Sequence, residues 1–246
     1  LKIQADYFSE KREGIFLERA SLPLYIGVST KPYVNVGKMK NHGFDTSLEY
    51  NQRVGQVRLS GKANFTYAHN TIIDNDQPDW KYPYLNRRGQ MLWQQYGLVA
   101  AGLFESQADI DSWPTQTFGE VKPGDIKYID INGDGKIDTN DEKPIGWAAV
   151  PEIVYGFGLS AAWKGLDCSV FFQGAGHVTL QQSGSAIQAF SARNMMESGV
   201  YEDIYYNHWS EDNPNPNAKY PRLSIGSNKN NFRNSTFWQK DMSYLR

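Results

Sequence analysis

The stretch that most restricts the fold is "EIVYGFGLSAAWKGLDCSVFFQG", residues 152–174. Ile153, Tyr155, Phe157, Leu159, Ala161 and Trp163 fall on one face of an extended chain, while the other carries only Val154, Gly156, Gly158, Ser160 and Ala162. After "KGLD", Leu166, Cys168, Val170 and Phe172 alternate against Asp167, Ser169, Phe171 and Gln173. A period of two marks a half-covered strand, and two such runs around a tight glycine turn predict an antiparallel hairpin.

The same alternation recurs upstream. Leu1, Ile3, Ala5 and Tyr7 oppose Lys2, Gln4 and Asp6; Phe44, Thr46, Leu48 and Tyr50 oppose Asp45, Ser47 and Glu49. Val57, Leu59, Gly61, Ala63, Phe65 and Tyr67 oppose Arg58, Ser60, Lys62, Asn64 and Thr66, and "NQRVGQ" joins these last two runs as a second hairpin. An aromatic content of 14% suits such pleated surfaces. Strands of about ten residues exceed the usual soluble length and match what crosses a bilayer at a tilt. No run of 18 apolar residues offers a transmembrane helix, which leaves a membrane barrel open. Between the tight turns the sequence predicts long connections over roughly 10–41, 71–149 and 175–240, and short turns opposite long loops is the asymmetry of outer-membrane barrels. A soluble sandwich with decorated loops is the competing fold. The chain reads as cut at both ends, and five or six strands cannot close in lipid, so a barrel here is part of a larger one.

A net charge of −2 offers no basic face for nucleic acid. The single cysteine, Cys168, excludes an internal disulfide. Catalysis finds no support: His42, His69, His177 and His208 occur in no HExxH pattern, and no GxSxG or phosphate loop exists.

The distinctive polar motif is "DINGDGKIDTND", residues 130–141. Laid on the twelve-position calcium loop, Asp130, Asn132 and Asp134 take positions 1, 3 and 5, and Gly135 the sharp turn at 6. Lys136 offers its carbonyl at 7, Ile137 packs inward at 8, and Asp138 and Asp141 take 9 and 12. Hard oxygen donors at alternate residues can wrap one cation, so Ca2+ with a structural role is expected. Asp141 departs from the usual Glu, and flanking helices are missing; an Asx- and Gly-rich turn without an ion is the simpler alternative. The aromatics of 71–149, Trp80 to Trp147, are expected chiefly to form that loop's own small core, and "SAIQAFSARNMMESG" a short helix with Ile187, Phe190, Met195 and Met196 on its apolar side. "NPNPNAKYPRL" must be irregular, because proline forbids helix there.

Several of these blocks resemble, in order, the C-terminal part of the SusC/RagA family of TonB-dependent outer-membrane transporters of Bacteroidetes. They are "NVGKMKNHGFDTSLEY", "GLFESQADIDSWPTQTFGEVKPGDIKYIDINGDGKIDTNDEKPIG", "PEIVYGFGLSAAWKGLDCSVFFQG", "YNHWSEDNPNPNAKYPRL" and "STFWQKDMSYLR". The resemblance covers nearly all of residues 1–246. It implies an all-β fold: an antiparallel transmembrane β-barrel of 22 strands, of which this is a part, with long extracellular loops, 71–149 among them. It also implies an N-terminal plug that contacts TonB, absent here, and a SusD-type surface lipoprotein as a lid. The expected activity is import of oligosaccharide or peptide nutrients at the cell outer membrane, not enzymatic turnover. On that reading Phe44, Leu48, Ile153, Phe157, Leu159 and Cys168 face lipid, and Asp45, Glu49, Arg58 and Lys62 face the lumen. The rival function is a soluble calcium-stabilised β-sandwich that binds carbohydrate; a secreted hydrolase is a weaker one, since nothing nominates its carboxylate pair.

Overall fold

A computed structural model describes residues 1–22, 24–27, 30–191, 199–226 and 228–246. The chain divides into two units: residues 1–94, 147–179 and 241–246, and residues 95–146 and 180–240.

The first unit is one antiparallel sheet of six strands: β1 (Lys2–Glu18), β2 (Tyr33–Val54), β3 (Val57–Asp74), β4 (Ile153–Trp163), β5 (Leu166–Gly176) and β6 (Tyr244–Leu245), paired in that order. It is an open sheet, not a closed barrel. Register confirms the face assignment across every long strand. Tyr7 lies opposite Phe44, Phe44 opposite Tyr67, Tyr67 opposite Ile153 and Ile153 opposite Gly176, so the apolar sets of the strands share one face. That face stays exposed: Leu159 is 64% accessible and Leu48 40%. The glycine-rich side of β4 has a reason the sequence did not disclose. Cβ atoms at Gly156 and Gly158 would lie 3.3 and 3.1 Å from the Phe171 ring, so these glycines make room for the neighbouring strand's phenyl group.

Both hairpins are tighter than the sequence indicated. β2 and β3 pair through Val54 and Val57, so the turn shrinks to Gly55–Gln56, with Gly55 at φ +61°. In the second, Lys164 and Gly165 sit at φ +47° and +85°, the two left-handed positions of a type I′ turn.

The expected connection over 10–41 is overturned. β1 runs on to Glu18 and β2 begins at Tyr33, which leaves only 19–32 as the link. The strands continue through "SEKREGIFLE" because pairing follows from the register already set, and a bulge at Glu13–Gly14, with Gly14 at φ +69°, absorbs one irregularity. Gly37 is needed opposite it: a Cβ there would come within 2.6 Å of Leu17.

In the second unit, segments 95–146 and 180–240 build one core: Leu98, Leu103, Phe118, Ile126, Tyr128, Ile137, Ile204, Trp209, Tyr220 and Trp238 are buried together. The small core expected within 71–149 is instead shared with residues from 180–240. Short ribbons carry the backbone, with Ala100–Leu103 antiparallel to Ile126–Tyr128 and Thr115–Gln116 parallel to Lys136–Ile137. Helix α1 (Gln107–Asp111) starts on a Ser106 cap, and α2 (Glu202–Asn207) buries Ile204. The expected helix over 185–199 is not formed in its described part, where Ile187 and Gln188 donate to the Gly184 carbonyl in a turn; Met195 and Met196 lie outside the described residues. The proline segment 213–223 is irregular, as its composition requires.

The loop aromatics split. Tyr96, Phe104 and Phe118 are buried, whereas Trp80, Trp93 and Trp147 are exposed.

Candidate functional site

In the loop 130–141 each candidate residue has a specific local job. The Asp130 carboxylate accepts from the amides of Gly133 and Gly135 at 2.7 and 2.8 Å, which is why both glycines must adopt positive φ (+72° and +81°). Asn132 Oδ1 accepts from the Asp134 amide, and Asp134 Oδ1 from that of Lys136, two Asx turns in succession. Asp138 and Asp141 form a capping box over the turn 139–141. Asp141 is fully buried and accepts from the Ile131, Asn132 and Asp138 amides. Ile137 is fully buried too, at the position expected to pack inward.

The donor chemistry suits a hard cation, since each carboxylate oxygen already holding one N–H keeps a second lone pair. The hydrogen bonds nevertheless close the loop by themselves. Among the described residues no three His, Cys, Asp or Glu side chains are grouped so as to hold a metal ion, and the buried Nδ2 of Asn132 is a donor lacking a protein acceptor.

Behind this loop lies a polar lattice that sequence reasoning missed. Asp125 is fully buried and faces Arg222, whose Nη2 donates to Oδ2 at 3.0 Å while Nε lies 2.8 Å from Oδ1. Asn228 and Asn231 donate to its Oδ1, and the Lys122 amide to Oδ2. Gln116 donates to the Ile126 carbonyl and to Asn230 and accepts from the Tyr128 amide. The Tyr128 hydroxyl donates to the Asn230 carbonyl at 2.8 Å, and burial pushes this phenol well above its ordinary pKa. "NKNN" reads as surface loop in sequence; only partners about a hundred residues away make it interior.

The sheet unit holds a second polar cluster. Glu152, 3% accessible, receives His69 Nδ1 at 2.5 Å on Oε1 and His177 Nδ1 at 3.0 Å on Oε2. The Trp147 indole stacks on His177, ring centroids 3.9 Å apart. Histidines without a motif in sequence thus tie the start of β4 to β3 and to the end of β5. On the polar face Glu49 lies opposite Lys62, and Asp45 opposite Thr66.

An antiparallel sheet of long strands, apolar and exposed on one face and polar on the other, tightly turned at one end and bearing long folded connections at the other, has the organisation of a transmembrane barrel wall. Comparison with known proteins makes the class specific. No family model matches the chain. It is 26% identical over 241 residues to TonB-dependent receptor P3 of Formosa agariphila, covering 91% of this chain and 23% of that protein. It is 28% identical over 182 residues to TonB-dependent receptor P26 of the same organism, covering 70% of this chain and 18% of that protein. The fold matches that of the RagAB peptide transporter with a TM-score of 0.69 at 20% identity, over 99% of this chain and 25% of that one. The RagAB peptide importer in its open-open state gives 0.67 at 19% identity, over the same shares. Together these likenesses support the SusC/RagA-type TonB-dependent transporter resemblance, for a stretch spanning at most about a quarter of such proteins. The named relatives are receptors and importers rather than enzymes.

Proposed function

We propose that this chain forms part of the barrel wall and outer loops of a transporter that imports nutrients across the outer membrane, driven through TonB. The observation that carries the proposal is the continuous apolar face shared by β1 to β5, exposed on strands of 11 to 22 residues. In water, Phe44, Leu48, Phe157, Leu159 and Val170 on one surface are a large liability; in lipid they are the required surface, with Tyr50 and Trp163 near the turns at the interface. A carbohydrate-binding sandwich would instead bury that face under a second sheet. The cargo is an oligosaccharide or a peptide, and a SusD-type lipoprotein is the partner that closes over the outer loops. The test is fractionation of the full-length protein with its gel mobility before and after boiling. Recovery in outer membranes with a heat-dependent shift, and uptake that stops without TonB, supports the proposal. Solubility without detergent rejects it in favour of the sandwich.

Calcium in loop 130–141 is proposed separately. Asp130, Asn132, Asp134, Asp138 and Asp141 would supply side-chain oxygens and Lys136 its carbonyl, and the ion would add rigidity to a loop already closed by amide bonds. Asp130→Ala with Asp134→Ala should lower bound calcium while leaving barrel assembly intact; equal calcium content in the double variant rejects the site.

A further inference from the structure

On the apolar face of the sheet, Trp163 and Ile153 mark the two ends of a band. They are the ends of β4, and its 11 residues, at about 3.4 Å each and a tilt near 40°, give about 25 Å of height, that of a barrel's lipid-facing belt. Away from the tight turns the band closes on an aromatic row: Tyr7 opposite Phe44, Phe44 opposite Tyr67, and Tyr67 opposite Ile153. The Phe44 ring packs on those of Phe65 and Tyr67, with centroids 5.6 and 5.8 Å apart.

The chemistry changes within the next rows of that same face. Ser9 lies opposite His42 and His42 opposite His69; then Lys11 lies opposite Lys40 and Lys40 opposite Thr71. Two lysines directly opposite one another on adjacent strands repel. Glu13 draws Lys11 aside at 2.7 Å, an exposed ion pair and therefore a weak one. Among the described residues the side chains of Ser9, Lys40 and Thr71 have no hydrogen bond or ion pair, and His42 meets only the His69 ring. The other carboxylates nearby are placed elsewhere. Asp74 lies opposite Lys38, further from the band, and Glu152 is held by His69 and His177.

We propose that this row binds the phosphate of a lipid headgroup whose acyl chains lie on the band below it. An anion between the Lys11 and Lys40 ammonium groups replaces their repulsion by two charge-assisted contacts, and the Ser9 and Thr71 hydroxyls and the His42 ring supply further donors beside them. Lysine stems lie readily along apolar surface with only the ammonium at headgroup level, and each cation at an anionic lipid surface adds to the attraction. Position favours a lipid over a soluble anion. The lysines stand just beyond the aromatic row on the face of Phe44 and Leu159, whereas a passing solute would meet the face of Glu49 and Lys62. The inference rests on the barrel reading, which supplies the membrane.

The test uses the full-length protein, stripped of lipid in non-ionic detergent and titrated with phosphatidic acid or phosphatidylcholine, with bound lipid counted by native mass spectrometry. Phosphatidic acid should bind about tenfold or more tightly than phosphatidylcholine, whose choline offsets the phosphate charge, and equimolar inorganic phosphate should not displace it. Lys11→Gln with Lys40→Gln should weaken phosphatidic acid by about tenfold, leave phosphatidylcholine unchanged and retain the heat-dependent gel shift. Lys2→Gln with Lys62→Gln, on the opposite face, should leave both lipids unchanged. Equal affinity for the two lipids, displacement by equimolar phosphate, undiminished binding in the Lys11/Lys40 variant, or equal losses in the two double variants overturns the inference. Because lipid binding is read in detergent without TonB, loss of uptake counts against the import proposal alone. A protein recovered in outer membranes that shows no preference for phosphatidic acid defeats this inference alone.

Discussion

Asp125 and Arg222 stand 97 residues apart in the chain and meet as a two-pronged ion pair inside the second unit, the carboxylate fully buried. Removing one partner leaves the other without its counter-charge in a site built for both. Arg222→Leu should therefore destabilise that unit by on the order of 3 kcal/mol. Limited proteolysis within 95–146 and 180–240 would show it as faster cleavage; wild-type resistance would mean the asparagines suffice.

Gly124 is a second pressure point. At φ +84°, a Cβ placed on it would lie 2.1 Å from the Trp209 ring. Gly124→Ala combines backbone strain with overpacking, and a loss of about 2–3 kcal/mol is expected. Trp209→Leu should recover part of the loss if the clash is the cause, as a double-variant cycle in denaturant would report.

Helix α2 carries an acid-sensitive contact. Hydrogen bonds from Lys219 and Tyr220 hold the Asp203 carboxyl below its ordinary pKa, and the Lys219 ammonium is held above its own by Asp203. A carboxylate with a depressed folded pKa stabilises fully above its unfolded value, near 4, and that contribution fades as pH falls through the folded value. Asp203→Asn should lower the stability of the second unit at pH 7 and flatten its further loss as pH falls below about 4, where the two proteins converge. Identical acid unfolding of both proteins would refute the assignment.

One substitution should stabilise. Lys164 occupies a left-handed turn position at φ +47° where asparagine is far more at ease. Lys164→Asn is expected to add about 0.5 kcal/mol and speed hairpin formation, measured by urea unfolding and by refolding kinetics of the full-length protein.

The strands were legible wherever one face was apolar and the other polar, because alternation is then written residue by residue. It fails at "SEKREG", where charged and polar side chains occupy both faces and only the register of Phe8 with Gly43 carries β1 onward. The loop 130–141 was legible as a turn-rich cation-type motif, since Asx and glycine residues act on neighbours a few positions away. The lattice of Gln116, Asp125, Arg222 and Asn228 to Asn231 was not. A polar residue's burial depends on partners that no local pattern specifies, and the same holds for Glu152 between two histidines. Likewise Glu10, Asn41 and Asn70 stand in one row across β1, β2 and β3 only once the three strands have paired.

The second unit is also a statement about timing. Residues 95–146 complete their core with residues from 180–240, after β4 and β5 have intervened in the chain. During synthesis the earlier half must wait with Ile126, Tyr128 and Ile137 uncovered until the later half emerges. Such distant closure is slow and leaves apolar surface open to other contacts, so this unit is most at risk before residues 180–240 are made, when a holding chaperone has the most to protect.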